Sequence, residues 1–471
     1  MRNGWDDMTR QPNILWIVTD DQRAGTIAAL GNPAILTPNM DELAQRGAAF
    51  TRAYIPGGLN PAVCMPSRAM MHTGRGLFDI QGDGERIPTD HRMLGEVLKD
   101  RGYHCFGTGK WHNGPDAFTR SFSSGGNIFF GGMWDHWNVP ACDYDPTGEY
   151  DNQVRFVVDF WTSKTELTQH CDHIRPGVHS STLVADTTVD FLRGYNDPEP
   201  FFAYAAFLAP HDPRVMPEEY LDLYDPEKLP LTGNLCGRHP FSYGVEEIRD
   251  ERLVGYPRDE ALVRSELRDY YAMITHLDYE IGRVIAALKE TGQYDNTIIV
   301  LCGDNGLAVG QHGLMGKQNV YDHSVHVPLL VSGPGVPENT LIPGAVYLND
   351  IYPSLCDLIG EPTPESVTAT SFADLLDDPD LDRGEQLYFA YGNLVRGCQS
   401  GDYKLIEYRG TATVTQLFNL AADPDESEDL SKDEGHQEML TDLRNLFLDR
   451  AVEVGDRNDS RTQLFWDAFS Y

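Results

Sequence analysis

The chain has 471 residues, enough for a large hydrophobic core and for more than one domain or subdomain. Its hydrophobic content of 41% is that of a folded globular protein. Asp and Glu number 72 against 37 Lys and Arg. The resulting formal charge of -35 argues against nucleic-acid or anionic-membrane binding as the main function.

The N-terminal residues and the cysteines bear on cellular location. Residues 1–13 include several polar and charged side chains and lack the apolar core of a secretory signal. No apolar run approaches the ~18 residues that span a bilayer. The eight cysteines include no Cys-x-x-Cys pair and are poor material for a zinc site or a dense disulfide framework. We expect a cytoplasmic protein, or a periplasmic or secreted one if a leader was removed.

The first predicted element is a buried parallel strand, because Asn13–Thr19 is a continuous apolar run. It ends in Asp20 and Asp21. Open α/β sheets place their ligands at the carboxyl ends of central strands, and paired carboxylates there supply hard oxygen ligands for Ca²⁺ or Mg²⁺. A solvated loop or a helix cap is the alternative interpretation of this acidic pair.

Two helices are predicted next, over residues 40–49 and from Cys64 onward. Pro66 fits the first turn of the second helix, and Gly74 fits its end. A cysteine at a helix N-terminus, with Arg68 one turn further on, favours an anionic form or an anionic adduct of its side chain. A buried structural cysteine is the alternative.

A helix over 90–101 and a short strand over 103–109 lead to Lys110 and His112. In an extended chain these two side chains point the same way. A cation and a titratable base on one face suit a site for a tetrahedral anion, whereas the alternative is an exposed turn. Residues 113–180 are rich in glycine and aromatic side chains and have no clear pattern.

A helix over 181–194 and a strand over 200–209 bring His211 to a strand's carboxyl end, again where ligands bind. A polar connection over 214–262 precedes a long helix over 263–291, whose apolar residues recur every three and four positions. The strand over 296–303 then ends in Asp304 and Asn305. These two complete an oxygen-only metal shell with the first acidic pair.

The last part of the chain has a different pattern. After a strand over 327–331 and a helix over 349–359, segments 386–391, 403–408 and 411–418 alternate as antiparallel strands do. A final helix over 437–454 covers that small sheet. We therefore predict an α/β catalytic domain over 1–375 and a C-terminal subdomain over 376–471.

Several motifs together resemble those of the formylglycine-dependent (type I) sulfatases, a family of the alkaline-phosphatase superfamily. The resemblance runs from residue 13 to residue 430 and is carried by these segments: Cys64-Met65-Pro66-Ser67-Arg68 with Thr73-Gly74-Arg75, Gly109-Lys110-Trp111-His112, Pro210-His211-Asp212-Pro213, Asp304-Asn305-Gly306, Gly316-Lys317 and Gln416-Leu417-Phe418-Asn419-Leu420. It implies a mostly parallel mixed sheet sandwiched by helices, with a small C-terminal α+β subdomain. The pattern of predicted elements indicates the same class.

The resemblance also implies a chemistry. Cys64 is expected to be oxidised to formylglycine by a formylglycine-generating enzyme, and its hydrated aldehyde attacks sulfur. The implied metal, Ca²⁺ with Mg²⁺ as the alternative, is held by that diol and by four side chains: Asp20, Asp21, Asp304 and Asn305. The resemblance implies that Arg68 orients the diol and that Lys110 and Lys317 bind sulfate. It also implies that His211, with Lys317, protonates the leaving alcohol. His112 is expected to take a proton from the diol.

The substrate is less well indicated. A sulfated carbohydrate is the first expectation, and choline sulfate or another small ester is the alternative. The substrate-binding candidates are His72, His173, Arg175 and His312. At the position of His72 many family members carry leucine. A phosphonate or phosphodiester hydrolase is one rival, although such enzymes usually carry histidine at the position of Asn305. An unconverted sulfated-glycan binding protein is the other. Oligomeric state is not indicated.

Overall fold

The computed structural model describes residues 11–157, 166–384 and 386–469. Most of the N-terminal stretch used to judge a secretory signal lies outside these residues. Within them, no helix is both long enough and apolar enough to cross a bilayer.

The fold is mixed α/β, as the sequence predicts. Its strands are β1 Asn13–Thr19, β2 Gly47–Phe50, β3 Ala53–Tyr54, β4 Gly57–Gly58, β5 His104–Lys110, β6 Ser124–Phe129, β7 Pro140–Ala141, β8 Gln153–Val157, β9 Glu166–His170, β10 His173–Ile174, β11 Phe201–Ala206, β12 Thr297–Gly303, β13 Leu329–Ser332, β14 Thr340–Ile342, β15 Val346–Tyr347, β16 Gln386–Tyr391, β17 Val395–Ser400, β18 Tyr403–Arg409 and β19 Thr413–Asn419.

The α-helices of the described residues vary widely in length, and α8 is by far the longest. They are α1 Pro38–Gln45, α2 Cys64–Thr73, α3 Leu94–Asp100, α4 Pro115–Ser121, α5 Ser180–Gly194, α6 Glu218–Leu221, α7 Arg249–Arg252, α8 Glu260–Glu290, α9 Asp322–Val325, α10 Ile351–Leu358, α11 Ala373–Asp377, α12 Gln437–Glu453 and α13 Gln463–Ala468.

The main sheet has eight strands in the order β14-β2-β13-β12-β1-β11-β5-β6. Five of its seven strand pairs are parallel, and β13 is antiparallel to both of its neighbours. Strands β12, β1, β11 and β5 are therefore parallel neighbours, so their carboxyl ends share one edge. This order places on that edge the residues that follow each of the four strands.

The main sheet is buried on both faces, which explains its continuous apolar strands. Along β1, Trp16 packs into one hydrophobic cluster and Ile17 into the cluster on the opposite face. Helices α2, α3 and α10 cover the first face, whereas α5 and α8 cover the second. The result is a helix–sheet–helix sandwich.

A second sheet has the order β19-β18-β17-β16-β4. Four of its strands are antiparallel and come from the C-terminal part of the chain, and α12 packs on them. Its fifth strand, Gly57–Gly58, pairs in parallel with β16. The segment just before Cys64 is thus hydrogen-bonded to the C-terminal sheet.

The predicted secondary structure differs from the structure in several elements, among them the helix over 90–101, which begins only at Leu94. The helix predicted over 40–49 ends at Gln45, and β2 begins at Gly47 because this segment pairs with β13 and β14. Strand β17 was not predicted. Its sequence, Val-Arg-Gly-Cys-Gln-Ser, has no apolar alternation, and its polar side chains are buried because the strand lies between β16 and β18.

Candidate active site

The candidate site lies at the shared carboxyl edge of the main sheet. The backbone amide of Asp304 donates to Thr19 at 2.9 Å, and that of Asp20 donates to Ala209 at 3.0 Å. These bonds continue the strand pairing beyond β12, β1 and β11. They bring the predicted residues that follow separate strands into one cluster.

Cys64 is the first residue of α2 and is 2% exposed. Its Sγ lies 3.4 Å from Nζ of Lys110 and 3.4 Å from Nδ1 of His112. Burial raises the pKa of the Cys64 thiol, despite the nearby lysines. The expectation of an anionic cysteine side chain is therefore wrong for the unmodified thiol, because burial outweighs the attraction of Lys110 and Lys317. An unmodified Cys64 is a poor nucleophile here.

Arg68 ties the nucleophile helix to two strands. Its Nε donates to Oδ2 of Asp304 at 2.7 Å, and its Nη1 donates to the carbonyl of Lys110 at 3.0 Å. Ser67, one residue earlier, donates its hydroxyl to the carbonyl of Asp304 at 2.5 Å. These contacts fix α2, and with it Cys64, relative to β5 and β12.

Four side chains supply oxygen atoms beside Cys64: Asp20, Asp21, Asp304 and Asn305. Asn305 Nδ2 donates to Oδ1 of Asp21 at 2.6 Å and to Oδ1 of Asp304 at 3.1 Å. Oδ1 of Asp20, Oδ2 of Asp21 and Oδ1 of Asn305 are buried without any hydrogen-bond partner. Unpaired buried oxygens of this kind are costly unless a cation binds them. The donor set consists of hard oxygens and fits Ca²⁺ or Mg²⁺.

Two lysines neutralise these acids. Lys110 is fully buried and forms an ion pair with Asp20, while Nζ of Lys317 lies 2.5 Å from Oδ1 of Asp21. Burial and the neighbouring carboxylates raise the pKa of Asp21 well above its ordinary value. At Asp20 burial acts in the same direction, but the cations around it, Lys110 foremost, outweigh burial and hold the pKa low. A divalent cation beside Asp21 would stabilise the ionised form of this buried carboxylate.

His211 follows β11 and is 6% exposed. Its Nδ1 lies 2.8 Å from the carbonyl of Asp212, and its Nε2 lies 3.7 Å from Oδ2 of Asp21. A carbonyl can only accept, so Nδ1 carries a hydrogen and Nε2 faces the oxygen cluster. Burial lowers the pKa of His211.

Tyr270 was not singled out by the sequence, which placed it on the apolar stripe of a scaffold helix. Its hydroxyl donates to the carbonyl of Asp21 at 2.6 Å and accepts from the amide of Arg23 at 3.2 Å. It thereby fixes the turn that carries the acidic pair. Helical periodicity identifies burial, and it contains no signal for this contact.

The structure does not bring His72 into the cluster. It is 1% exposed, and its ring centroid lies 4.6 Å from that of Trp111, 4.8 Å from that of Tyr204 and 5.4 Å from that of Trp16. This aromatic enclosure makes His72 a core residue beneath α2. The predicted contact with substrate is therefore wrong for this position.

The other substrate-binding candidates lie on two separate segments. His173 Nε2 lies 2.8 Å from Oδ1 of Asn127, and Arg175 is exposed on the same segment. His312 is 8% exposed and stacks on Tyr321 with ring centroids 3.8 Å apart. These contacts indicate that His312 braces its loop, whereas a substrate role for His173 or Arg175 stays a prediction.

Comparison with known proteins adds to this geometry. The model of the Sulfatase family matches residues 12–361, and that of the N-sulphoglucosamine sulphohydrolase C-terminal region matches residues 310–453. An ulvan-active sulfatase of Formosa agariphila is 28% identical over 477 residues, covering 97% of this chain and 84% of the relative.

Solved structures share the fold. One, determined in complex with its substrate D-glucosamine-2-N,6-O-disulfate, has a TM-score of 0.76 at 19% identity, covering 96% of this chain and all of the other. A phosphonate monoester hydrolase of Silicibacter pomeroyi has a TM-score of 0.69 at 22% identity, covering 94% of this chain and 96% of that one. At such identities the likeness shows the fold alone, so it does not favour the phosphonate chemistry.

Proposed function

Because the chain belongs to the sulfatase family, we propose that it hydrolyses a carbohydrate sulfate ester, using formylglycine formed from Cys64 and a bound Ca²⁺. One observation carries this proposal. The sulfur of Cys64 lies 3.4 Å from both Lys110 Nζ and His112 Nδ1, beside a cluster of unpartnered buried oxygens. This arrangement supports a site that combines a nucleophile, a base, an anion-binding cation and a metal ion.

The cation would be held by four side chains, Asp20, Asp21, Asp304 and Asn305. When bound, it would supply positive charge to the sulfate oxygens and lower the pKa of an adjacent hydroxyl. Formylglycine, once formed and hydrated, supplies the hydroxyl that attacks sulfur. Maturation therefore requires a formylglycine-generating enzyme as a partner.

The remaining steps belong to side chains of the chain itself. Lys110 and Lys317 offer ammonium groups to the sulfate oxygens. Burial, aided by Lys110, lowers the pKa of His112 well below its usual range, so the neutral ring, whose Nδ1 faces position 64, can accept a proton from the group there. His211 keeps its Nδ1 hydrogen on a backbone carbonyl, so it delivers a proton from Nε2 to the leaving oxygen as the imidazolium, the form that a bound anionic sulfate ester favours.

The substrate class rests on the relative that is named ulvan-active. The local charge agrees with an anionic substrate despite the acidic chain. Three buried cations, Arg68, Lys110 and Lys317, balance the three buried carboxylates of the cluster. A divalent cation added to this balanced set then supplies the positive charge that attracts the singly charged sulfate ester.

The first experiment is the mass of the peptide that contains Cys64, after coexpression with a formylglycine-generating enzyme. Conversion of cysteine to formylglycine lowers the mass by ~18 units and creates the activated nucleophile. Converted protein should then release sulfate from sulfated monosaccharides and from aryl sulfates, and much more slowly release phosphonate from aryl phosphonates. If Cys64 stays a thiol, or if converted protein binds sulfated sugars without turnover, the proposal is wrong.

A further inference from the structure

Two buried histidines outside the cluster hold the backbone of the segment that carries His211. Nε2 of His136 lies 2.9 Å from the carbonyl oxygen of His211, and Nε2 of His179 lies 2.9 Å from that of Val215. The two imidazoles are stacked, with centroids 5.1 Å apart and planes 8° from parallel. Both residues are at most 2% exposed. They bond the two ends of the 211–215 segment.

The partners of each ring determine its tautomer. A carbonyl oxygen only accepts, so Nε2 carries the hydrogen in both rings. Nδ1 of His136 then accepts from the hydroxyl of Ser180 at 2.6 Å, and Nδ1 of His179 accepts from the amide of Ser181 at 3.1 Å. Burial lowers the pKa of His136 to about 4, which keeps this ring neutral near pH 7.

The histidine pair is itself held by rigid elements. His179 caps the N-terminus of α5, and its ring lies edge-on to that of His276 on α8, with centroids 4.6 Å apart. The backbone amide of Ser180 donates to the carbonyl of His136 at 2.8 Å, a second bond between these residues. The 211–215 segment is thus fastened to two long helices that pack on the main sheet.

We propose that His136 and His179 are positioning residues that hold the 211–215 segment so that Nε2 of His211 meets the leaving oxygen of the substrate. The inference rests on the proposed function for its catalytic consequence. Proton donation matters most when the leaving group is a poor one, because a good leaving group departs without it. A displaced His211 should therefore slow the cleavage of esters with basic leaving groups selectively.

The test compares two aryl sulfates with converted, Ca²⁺-loaded enzyme. Phenyl sulfate releases a phenol with a pKa of about 10, whereas 4-nitrophenyl sulfate releases a far better leaving group. His136→Phe should lower kcat for phenyl sulfate about 10- to 100-fold, and for 4-nitrophenyl sulfate less than about threefold. KM should change little for either substrate, because sulfate binding is untouched.

Three further variants separate positioning from mere packing. His136→Gln places an amide N–H near the position of Nε2 and should restore most of the phenyl sulfate rate. Ser180→Ala keeps the imidazole but removes the hydroxyl that orients it, and should produce a milder form of the same selective loss. The matched control is His104→Phe, because His104 pairs with Ser124 at 2.7 Å at the opposite end of β5. Its ratio of the two rates should equal that of the wild type.

Equal losses of kcat on both substrates, or no loss on either, would overturn the inference. A wild-type enzyme that cleaves no sulfate ester would instead refute the proposed function. In that case hydrogen exchange of unconverted protein still decides whether the two histidines hold the segment. His136→Phe should speed exchange in the 211–215 peptide, and unchanged exchange there would overturn the inference on its own.

Discussion

Gly132 lies so close to His112 that a Cβ atom at position 132 would be 2.8 Å from Cε1 of the imidazole and 3.0 Å from Nε2. Any side chain at 132 would collide with this ring. The ring must shift, because the atoms in the way belong to this side chain and not to the backbone. Since Nδ1 of His112 lies 3.4 Å from Sγ of Cys64, the residue at 132 controls the distance between base and nucleophile.

Gly132→Ala should therefore impair catalysis without unfolding the protein. Displacing a base from its reacting partner by about 1 Å costs on the order of 100-fold in kcat. Steady-state kinetics on an aryl sulfate and a thermal melt would measure the two effects. Gly126→Ala is the matched control, because its Cβ would meet only Thr187, at 3.5 Å. A fully active Gly132→Ala enzyme would show that the ring position does not matter.

Lys317 competes with a metal ion for Asp21, because its Nζ lies 2.5 Å from Oδ1 of that residue. Lys317→Ala should bind Ca²⁺ about 10-fold more tightly, since a buried like charge is removed, while losing activity on sulfate esters. Calorimetric titration of Ca²⁺ measures the first effect. The exposed Lys289→Ala serves as the control. Weaker Ca²⁺ binding by Lys317→Ala would contradict the proposed metal site.

The same competition couples the metal to the substrate. A sulfate analogue that draws Lys110 and Lys317 away from the carboxylates should tighten Ca²⁺ binding, and Ca²⁺ should tighten analogue binding by the same factor. Removing Ca²⁺ with a chelator should abolish turnover reversibly. Independent binding of the two ligands would argue that the lysines do not exchange partners.

His72 should make the protein sensitive to acid. Burial and the nearby Arg68 lower its pKa to about 3, and both ring nitrogens lack hydrogen-bond partners. The unfolded chain takes up a proton near its ordinary pKa of 6.5, whereas the folded protein does not. Stability is therefore present above pH 6.5 and is lost as the pH falls from 6.5 towards 3.

His72→Leu should remove this loss. It should raise the free energy of unfolding by about 1 kcal/mol at pH 7, because two unsatisfied buried groups disappear. At pH 4.5 the stability gain of His72→Leu over the wild type should be about 3 kcal/mol larger than at pH 7, because the wild type loses stability over two pH units of proton linkage. Urea denaturation at both pH values provides the measurement, with His104→Leu as the control. An unchanged pH dependence would show that this imidazole becomes protonated in place.

The C-terminal sheet contains a fully buried ion pair. Nε of Arg396 on β17 lies 2.6 Å from Oδ2 of Asp456, and both side chains are 0% exposed. Tyr388 donates its hydroxyl to the same oxygen at 2.5 Å. Asp456→Ala should cost about 3–5 kcal/mol of unfolding free energy in urea, because the guanidinium is left buried and unpaired.

The exposed pair between Arg193 and Glu290 provides the contrast. Glu290→Ala should cost at most about 1 kcal/mol, since water already screens both charges. Equal losses in the two variants would mean that burial does not govern the strength of the Arg396–Asp456 pair.

The sequence by itself determined the main strands and the residues that follow them. Continuous apolar runs predict the buried strands around Trp16 and Val300, and the fold class they indicate is confirmed. Polar residues that follow such runs, among them Asp20 and Asp304, must lie at strand ends. Hence the chemistry of the site could be anticipated before any contact was known.

Only the tertiary structure decided which strands are neighbours and what each side chain touches. Local patterns report burial, whereas strand order and packing depend on residues far apart in the chain. This is why His72 was misplaced and why the bond from His136 to His211 left no sequence signal. The raised pKa of the Cys64 thiol has the same origin, since burial by distant parts of the chain outweighs the attraction of Lys110 and Lys317.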